Sequence, residues 1–273
     1  MKTPFDEYCL YYDNYKYFIK KYSNYSYEEI NKYEKFNYNY ESHYIKQLER
    51  YIPNKFIKND VKDINLILLI MRWVNEKLLY KNMIEKNINS LHAADILLAA
   101  KKNNKTVNCL CHATVLTETL LCLGFKAKTI KCLPIGMFPQ DNHCLTMVFC
   151  NNNKKWIALD PTYNLYFQDK NSNYLAIHEI RQLISNNKQV NVQSNHRIQS
   201  DNIELIKKIY IKYMAKNLFR FSTYKNAVFK VRGEIEYQLI PKDYLPLNQY
   251  IIKTKKRDVT IKYISNPNFF WQL

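Results

Sequence analysis

Apolar positions along this chain follow a helical period in its first half and alternate in pairs in its middle. Across residues 60–80, Ile64, Leu66, Leu68, Leu69, Met71, Trp73 and Leu78 surround one helix, with Asp60 or Asp63 available to cap it. Residues 90–100 predict a second helix with Ser90 as N-cap, and 101–105 a polar loop. The most apolar segment runs from Asn108 to Gly124. Ala113, Leu116, Leu120 and Leu123 form one stripe, Val115 and Cys122 widen it, and Gly124 suits the residue just past a helix end. This predicts a core helix whose first residue is Cys109.

Strand patterns follow. Residues 125–132 read as one strand, leading to a loop through Gly136, Pro139 and Asp141. Residues 143–150 and 155–160 read as a hairpin across the turn cluster 151–154, with Pro161 stopping the second strand. Downstream, 178–185 and 202–217 predict helices, and 219–222, 236–240 and 259–264 predict strands. Upstream, 1–59 is rich in Tyr, Lys, Asn and Glu, and predicts helices at 27–33 and 42–51, with Pro53 ending the second. Its tyrosines are read as amphipathic packing. The fold class is α+β in a single domain, 1–273, with a helical N-terminal extension (1–59), a core (60–170) and a completing segment (171–273).

Chemistry concentrates in that core. A thiol at a helix start meets the positive end of the helix, which favours thiolate. A four-residue turn at 151–154 pairs Cys150 with Lys155, so Leu145 faces Asp160 and His143 lies two residues further on. A two-residue turn pairs His143 with Asp160 directly. In either register both side chains share one face. Leu145, Met147 and Phe149 share it too, and that face is expected to pack on the Cys109 helix. Cys109 is thus the candidate nucleophile, His143 its base, and Asp160 the group that orients His143. The backbone N–H of Cys109 is one candidate oxyanion donor; the second has no candidate. Cys111 lies two residues on, where a helical side chain points about 160–200° away. Cys109, Cys111, His112, Cys132, His143 and Cys144 could also suggest zinc, but they lack paired CxxC spacing. No metal or other cofactor is called for.

Composition changes this picture little. The net charge is +17, which raises nucleic acid as a partner. The lysines are dispersed, however, and Lys, Asn, Tyr and Ile share A/T-rich codons, so nucleic acid is disfavoured. An acidic protein partner suits the charge equally well. Seven cysteines in an odd set without framework spacing predict free thiols in a reducing compartment. The start has no apolar leader, and the apolar run 64–74 is too short to span a bilayer. The expectation is a cytoplasmic protein without membrane contact.

Three stretches carry a resemblance. Residues 108–127 resemble the nucleophile helix of the transglutaminase-like superfamily, relatives of the papain fold. Residues 143–148 resemble its His strand, and Trp156-Ile157-Ala158-Leu159-Asp160-Pro161-Thr162 its W-x-x-L-D-P-T strand. Arg72-Trp73-Val74-Asn75-Glu76 and Ala93-Ala94-Asp95-Ile96-Leu97 resemble upstream family helices. Val107 departs from a common Gly, and Leu91 stands where an aromatic donor sometimes lies. The resemblance covers about residues 60–170. It implies a papain-like fold, with the nucleophile helix packed on an antiparallel sheet, and catalytic roles for Cys109, His143 and Asp160. The expected activity is thiol acyl transfer: an amide or carrier-protein thioester donates the acyl group and an amine accepts it. The alternatives are a cysteine peptidase or amidase that uses water, and a non-catalytic binding protein. An acidic acyl or peptidyl carrier protein would match the positive charge.

Overall fold

A computed structural model describes residues 10–27, 33–59, 63–81, 90–103, 106–135, 142–197, 200–230, 233–244, 249–253 and 258–272, with backbone alone at 103 and 249–253. Helices α1 (Tyr12–Lys21), α2 (His43–Leu48), α3 (Asn54–Ile57) and α4 (Ile64–Lys77) lead to a short strand β1 (Leu79–Tyr80). Next come α5 (Ala93–Asn103), β2 (Thr106–Val107) and α6 (Cys109–Cys122). Strands β3 (Ala127–Leu133), β4 (His143–Cys150), β5 (Lys155–Asp160) and β6 (Leu165–Gln168) follow. Then come α7 (Ile177–Ser185), β7 (Asn191–Ser194), α8 (Asp201–Asn217), β8 (Arg220–Tyr224), β9 (Glu234–Leu239), β10 (Gln249–Lys253), β11 (Asp258–Ile264) and α9 (Pro267–Phe270).

Among the described residues, nine strands form one sheet in the order β10-β11-β9-β8-β3-β4-β5-β6-β7. Every pair is antiparallel except β9 with β11, which run parallel. The architecture is mixed α and β, as the patterning predicts. Helices cover both faces. One core joins α4, α5 and α6, with Leu48 and Phe56, to Val148, Cys150, Ile157 and Leu159 of the sheet. The other joins Ile19, α7, α8 and α9 to Leu145, Met147, Trp156 and Ala158. Each fully buried Leu or Ile in these cores contributes roughly 1.5–3 kcal/mol against exposure. Among the described residues no helix is long and apolar enough to cross a membrane.

Local chemistry sets the element ends. Asp63 caps α4 by accepting from Leu66 N–H at 3.0 Å; Asp60, the other candidate cap, lies outside the described residues. The 60–80 helix ends at Lys77, because Leu79 and Tyr80 pair in parallel with Thr106 and Val107. Asn108 caps α6 through its side-chain oxygen, 3.2 Å from Cys111 N–H. Gly124 takes φ +81°, Phe125 N–H bonds the Leu120 carbonyl and Gly124 N–H the Leu121 carbonyl, the Schellman closure of a helix. The second helix begins at Ala93 rather than beside Ser90. Ser90 accepts from His92 N–H at 3.2 Å, and the Glu118 carboxylate accepts the Ala93 N–H at 2.8 Å. Residues 101–103 extend that helix instead of forming a loop. Of the segment 27–33, Tyr27 and Tyr33 lie outside regular structure, and 28–32 fall outside the described residues, as do Gly136, Pro139 and Asp141.

The hairpin turn is four residues long and Cys150 pairs with Lys155. The face expected to meet the Cys109 helix is the wrong one. Helix α6 packs on the Val148 and Cys150 side of β4, whereas Leu145 and Met147 face α8. Both faces of β4 are buried, so its apolar residues carry no sign of which helix covers which side.

Candidate active site

Opposite sheet faces meet at the start of β4. Cys109 opens α6 and packs with Ala113 over Cys144, on the helix-facing side of the sheet. His143, one residue earlier, points to the other face. At the strand's end the thiol reaches both: it hydrogen-bonds the Cys144 thiol and the His143 ring. His143 Nε2 bonds Asp160 Oδ2 at 2.8 Å, which leaves the ring's Nδ1 for the thiol. Asp160 Oδ2 also accepts from Tyr210 Oη at 2.5 Å, and its Oδ1 accepts from Thr162 N–H at 2.9 Å and Tyr163 N–H at 3.3 Å. The result is one buried line from Cys109 through His143 and Asp160 to Tyr210. His143 is 1% exposed, Asp160 0% and Cys109 9%.

Charge is distributed along that line. The Cys144 thiol donates toward Cys109 and, with His143, outweighs burial to hold Cys109 well below the ordinary thiol range, at about 4. Burial alone would neutralise His143; Asp160 beside it, then Cys109, raise it to about 10. Burial likewise works against the Asp160 carboxylate, but the His143 charge and the Tyr210 hydroxyl hold it below its usual value. Cys144 is pushed up by Cys109 and stays a thiol. The favoured state is thiolate, imidazolium, carboxylate.

The surrounding chain fixes this geometry. Asn75 on α4 donates to the carbonyls of Pro161 at 3.1 Å and Thr162 at 3.0 Å. Asn164 adopts φ +53°, and its carbonyl accepts Asn195 N–H at 2.9 Å. Arg72 reaches the Asn195 carbonyl at 2.8 Å. These bonds hold the turn that carries Asp160. The ring of Tyr163 stacks on His143 (5.9 Å, 26°), Tyr213 meets it edge-on at 5.6 Å, and Tyr80 leans on Tyr163 at 5.7 Å. His112, buried one turn into α6, spans the carbonyls of Asn108 (3.1 Å) and Leu78 (3.4 Å), tying the helix start to the end of α4 just before β1.

The remaining metal-type residues are dispersed. Cys111 packs in the α4–α6 core, where burial pushes its thiol up to about 12. Cys132 lies in the opposite core. The three residues singled out by sequence therefore meet, while Cys111 and Cys132 pack in the two cores and His112 holds the start of α6 by hydrogen bonds. Tyr210, Tyr163 and Tyr80 complete the neighbourhood without any sequence signal, and Cys144, noted in the sequence only as a metal-type residue, joins them. Tyr210 lies 50 positions after Asp160 in a chain with 24 tyrosines, so nothing marks it out.

No protein-family model matches this chain. No curated protein matches it either. Among solved structures it is similar to a candidate cysteine protease from Cytophaga hutchinsonii, at 20% identity and a TM-score of 0.34 over 44% of this chain. The match spans 39% of that protein's length. A likeness of that extent carries no argument about reaction, so what the site does rests on its own geometry and charge.

Proposed function

We propose that this protein is a thiol-dependent acyltransferase that forms an amide bond through an acyl-thioester on Cys109. The observation that carries the reading is the buried hydrogen-bonded line Cys109–His143–Asp160–Tyr210, with its charge drawn toward thiolate and imidazolium. The Cys109 thiolate attacks the acyl carbon of an amide or thioester. The backbone N–H at the start of α6 meets the oxygen that becomes negative. His143 passes its Nδ1 proton to the leaving amine or thiol as the carbon–leaving-group bond breaks. An amine then attacks the thioester, His143 takes its proton, and the carbon–sulfur bond breaks to release the amide and the thiolate. Asp160 keeps the ring oriented and stabilises its charge, and Tyr210 does the same for Asp160.

Tyr163, Tyr210 and Tyr213 surround His143 and keep bulk solvent from the ion pair. Hydrolysis by a peptidase or amidase is the second reading, favoured by the small opening left at the thiol. The charge of +17 suits an acidic carrier protein that presents the acyl group. The test is to incubate the full chain with an acyl thioester, with and without an amine, and follow intact mass. A Cys109 adduct that discharges faster with amine, giving an amide, supports transfer. Discharge indifferent to amine supports hydrolysis. No adduct, or one that persists in Cys109→Ala, removes the enzyme reading and leaves a binding protein.

A further inference from the structure

Strand β7 ends the sheet, and among the described residues no strand pairs with its outer edge. Its register with β6 settles which main-chain groups that edge carries. Asn195 N–H bonds the Asn164 carbonyl at 2.9 Å, one step beyond the pair of Leu165 and Ser194. Antiparallel partners alternate between bonded and non-bonded pairs, so Asn191 and Gln193 bond to β6 and Val192 does not. The Val192 N–H and carbonyl therefore point outward. Neither has a partner among the described residues, although Val192 is only 9% exposed. A sheet edge with unpaired main-chain groups is a template for another strand.

Beside that edge lies a groove of about 490 Å³, walled by Lys207, Lys208, Ile211 and Lys212 of α8, with Lys188 joining them from the loop before β7. Glu204 is the one acid among its described lining residues, and Lys207 pairs with it at 2.9 Å. Lys188, Lys208 and Lys212 are exposed and have no ion pair among the described residues. A strand laid on β7 meets both features. Val192 packs toward α8, and the residue opposite it shares that face. Same-face side chains recur about every 6.8 Å along a strand. Lys208 and Lys212 stand one helical turn apart, about 6 Å along α8. Acidic side chains at alternate positions thus match the lysines. The edge also offers an acceptor, the Val192 carbonyl, beside its donor. A nucleic-acid phosphate brings acceptors only, whereas a peptide main chain brings both. A second copy of this chain, at a net charge of +17, is repelled.

We propose that the outer edge of β7 docks an extended acidic segment of a partner protein, which adds a strand to the sheet and sets its acids against Lys208 and Lys212. This stands apart from the thioester reading. The test is fluorescence anisotropy of the full chain with a labelled peptide that alternates glutamate and threonine. The peptide should bind, and Lys208→Glu with Lys212→Glu should weaken it at least about tenfold. Lys101→Glu with Lys102→Glu makes the same charge change on α5, away from the groove, and should leave binding within about threefold. N-methylating the glutamates, whose N–H groups meet Val192 in antiparallel pairing, should weaken binding at least about tenfold. N-methylating the threonines, whose N–H groups point away, should change it less than about threefold. Failure of the unmethylated peptide to bind overturns the proposal. So does equal binding of all three peptides, or equal loss from both lysine pairs, since either marks general charge attraction. A single-stranded oligonucleotide that binds more tightly than the peptide, and loses that affinity in Lys208→Glu with Lys212→Glu, assigns the groove to nucleic acid and overturns it too.

Discussion

Two histidine–carboxylate pairs are buried in this molecule, and they are made of the same parts. His143 meets Asp160 at 2.8 Å, and His92 meets Glu118 at 3.0 Å; all four side chains are at most 2% exposed. Their second contacts differ. His143 has its remaining ring nitrogen toward Cys109, at a helix start. His92 is closed by Tyr44, stacked on its ring at 3.4 Å, and its Nε2 is buried without a hydrogen-bond partner among the described residues. The carboxylates differ too. Asp160 holds a ring that faces a thiol, whereas Glu118 accepts the first N–H of α5 and so joins two helices. Burial and an acid partner are thus common to both pairs. A thiol within reach of the other ring nitrogen separates them.

The largest effect should come from His143→Gln. It removes the base and the cation that holds the thiolate, and Cys109 acylation should fall about 10⁴-fold in single-turnover kinetics. Asp160→Asn should follow, at about 10²–10³-fold. Its Oδ1 still accepts from Thr162 and Tyr163, so the turn survives while the ring loses its counter-charge. Tyr210→Phe deletes one bond to Asp160 and should cost about tenfold in rate with KM unchanged. His92→Gln should lower stability by about 2–3 kcal/mol in urea titration, since Glu118 stays buried with one partner fewer. Its acylation rate per folded molecule should remain within about threefold of the parent. A rate loss there as large as that of His143→Gln would erase the distinction between the two pairs.

What the chain reveals before folding follows the same division. The pairing of β4 with β5 is legible because 151–154 is a compact polar turn and strand parity then places His143 and Asp160 on one face. The side of the sheet taken by α6 is not legible, since β4 is apolar on both faces. Helix α1 is hidden among Tyr and Lys residues that bury only Ile19. Strands β6 and β7 are four residues each, too short for alternation to register. Cys109, His143 and Asp160 stand out by residue type and position. Cys144 and Tyr210 matter only through where the fold brings them, and His92 with Glu118 gives no hint that it is structural.

The pH response of the thiol tests the central claim most directly. Cys109 is depressed from an ordinary value near 9.0 to about 4, so its thiolate appears as pH rises through about 4. His143 is raised from 6.5 to about 10, so its proton is lost as pH rises through that value. The ion pair is fully charged only between those limits. The measurement is the rate of Cys109 carboxamidomethylation by iodoacetamide, followed by mass from pH 3.5 to 10.5. The account predicts that the rate climbs near pH 4 and stays level through neutrality, and that in His143→Gln the climb moves up by several pH units. A parent rate that rises only near pH 8–9, as for an ordinary thiol, would contradict it.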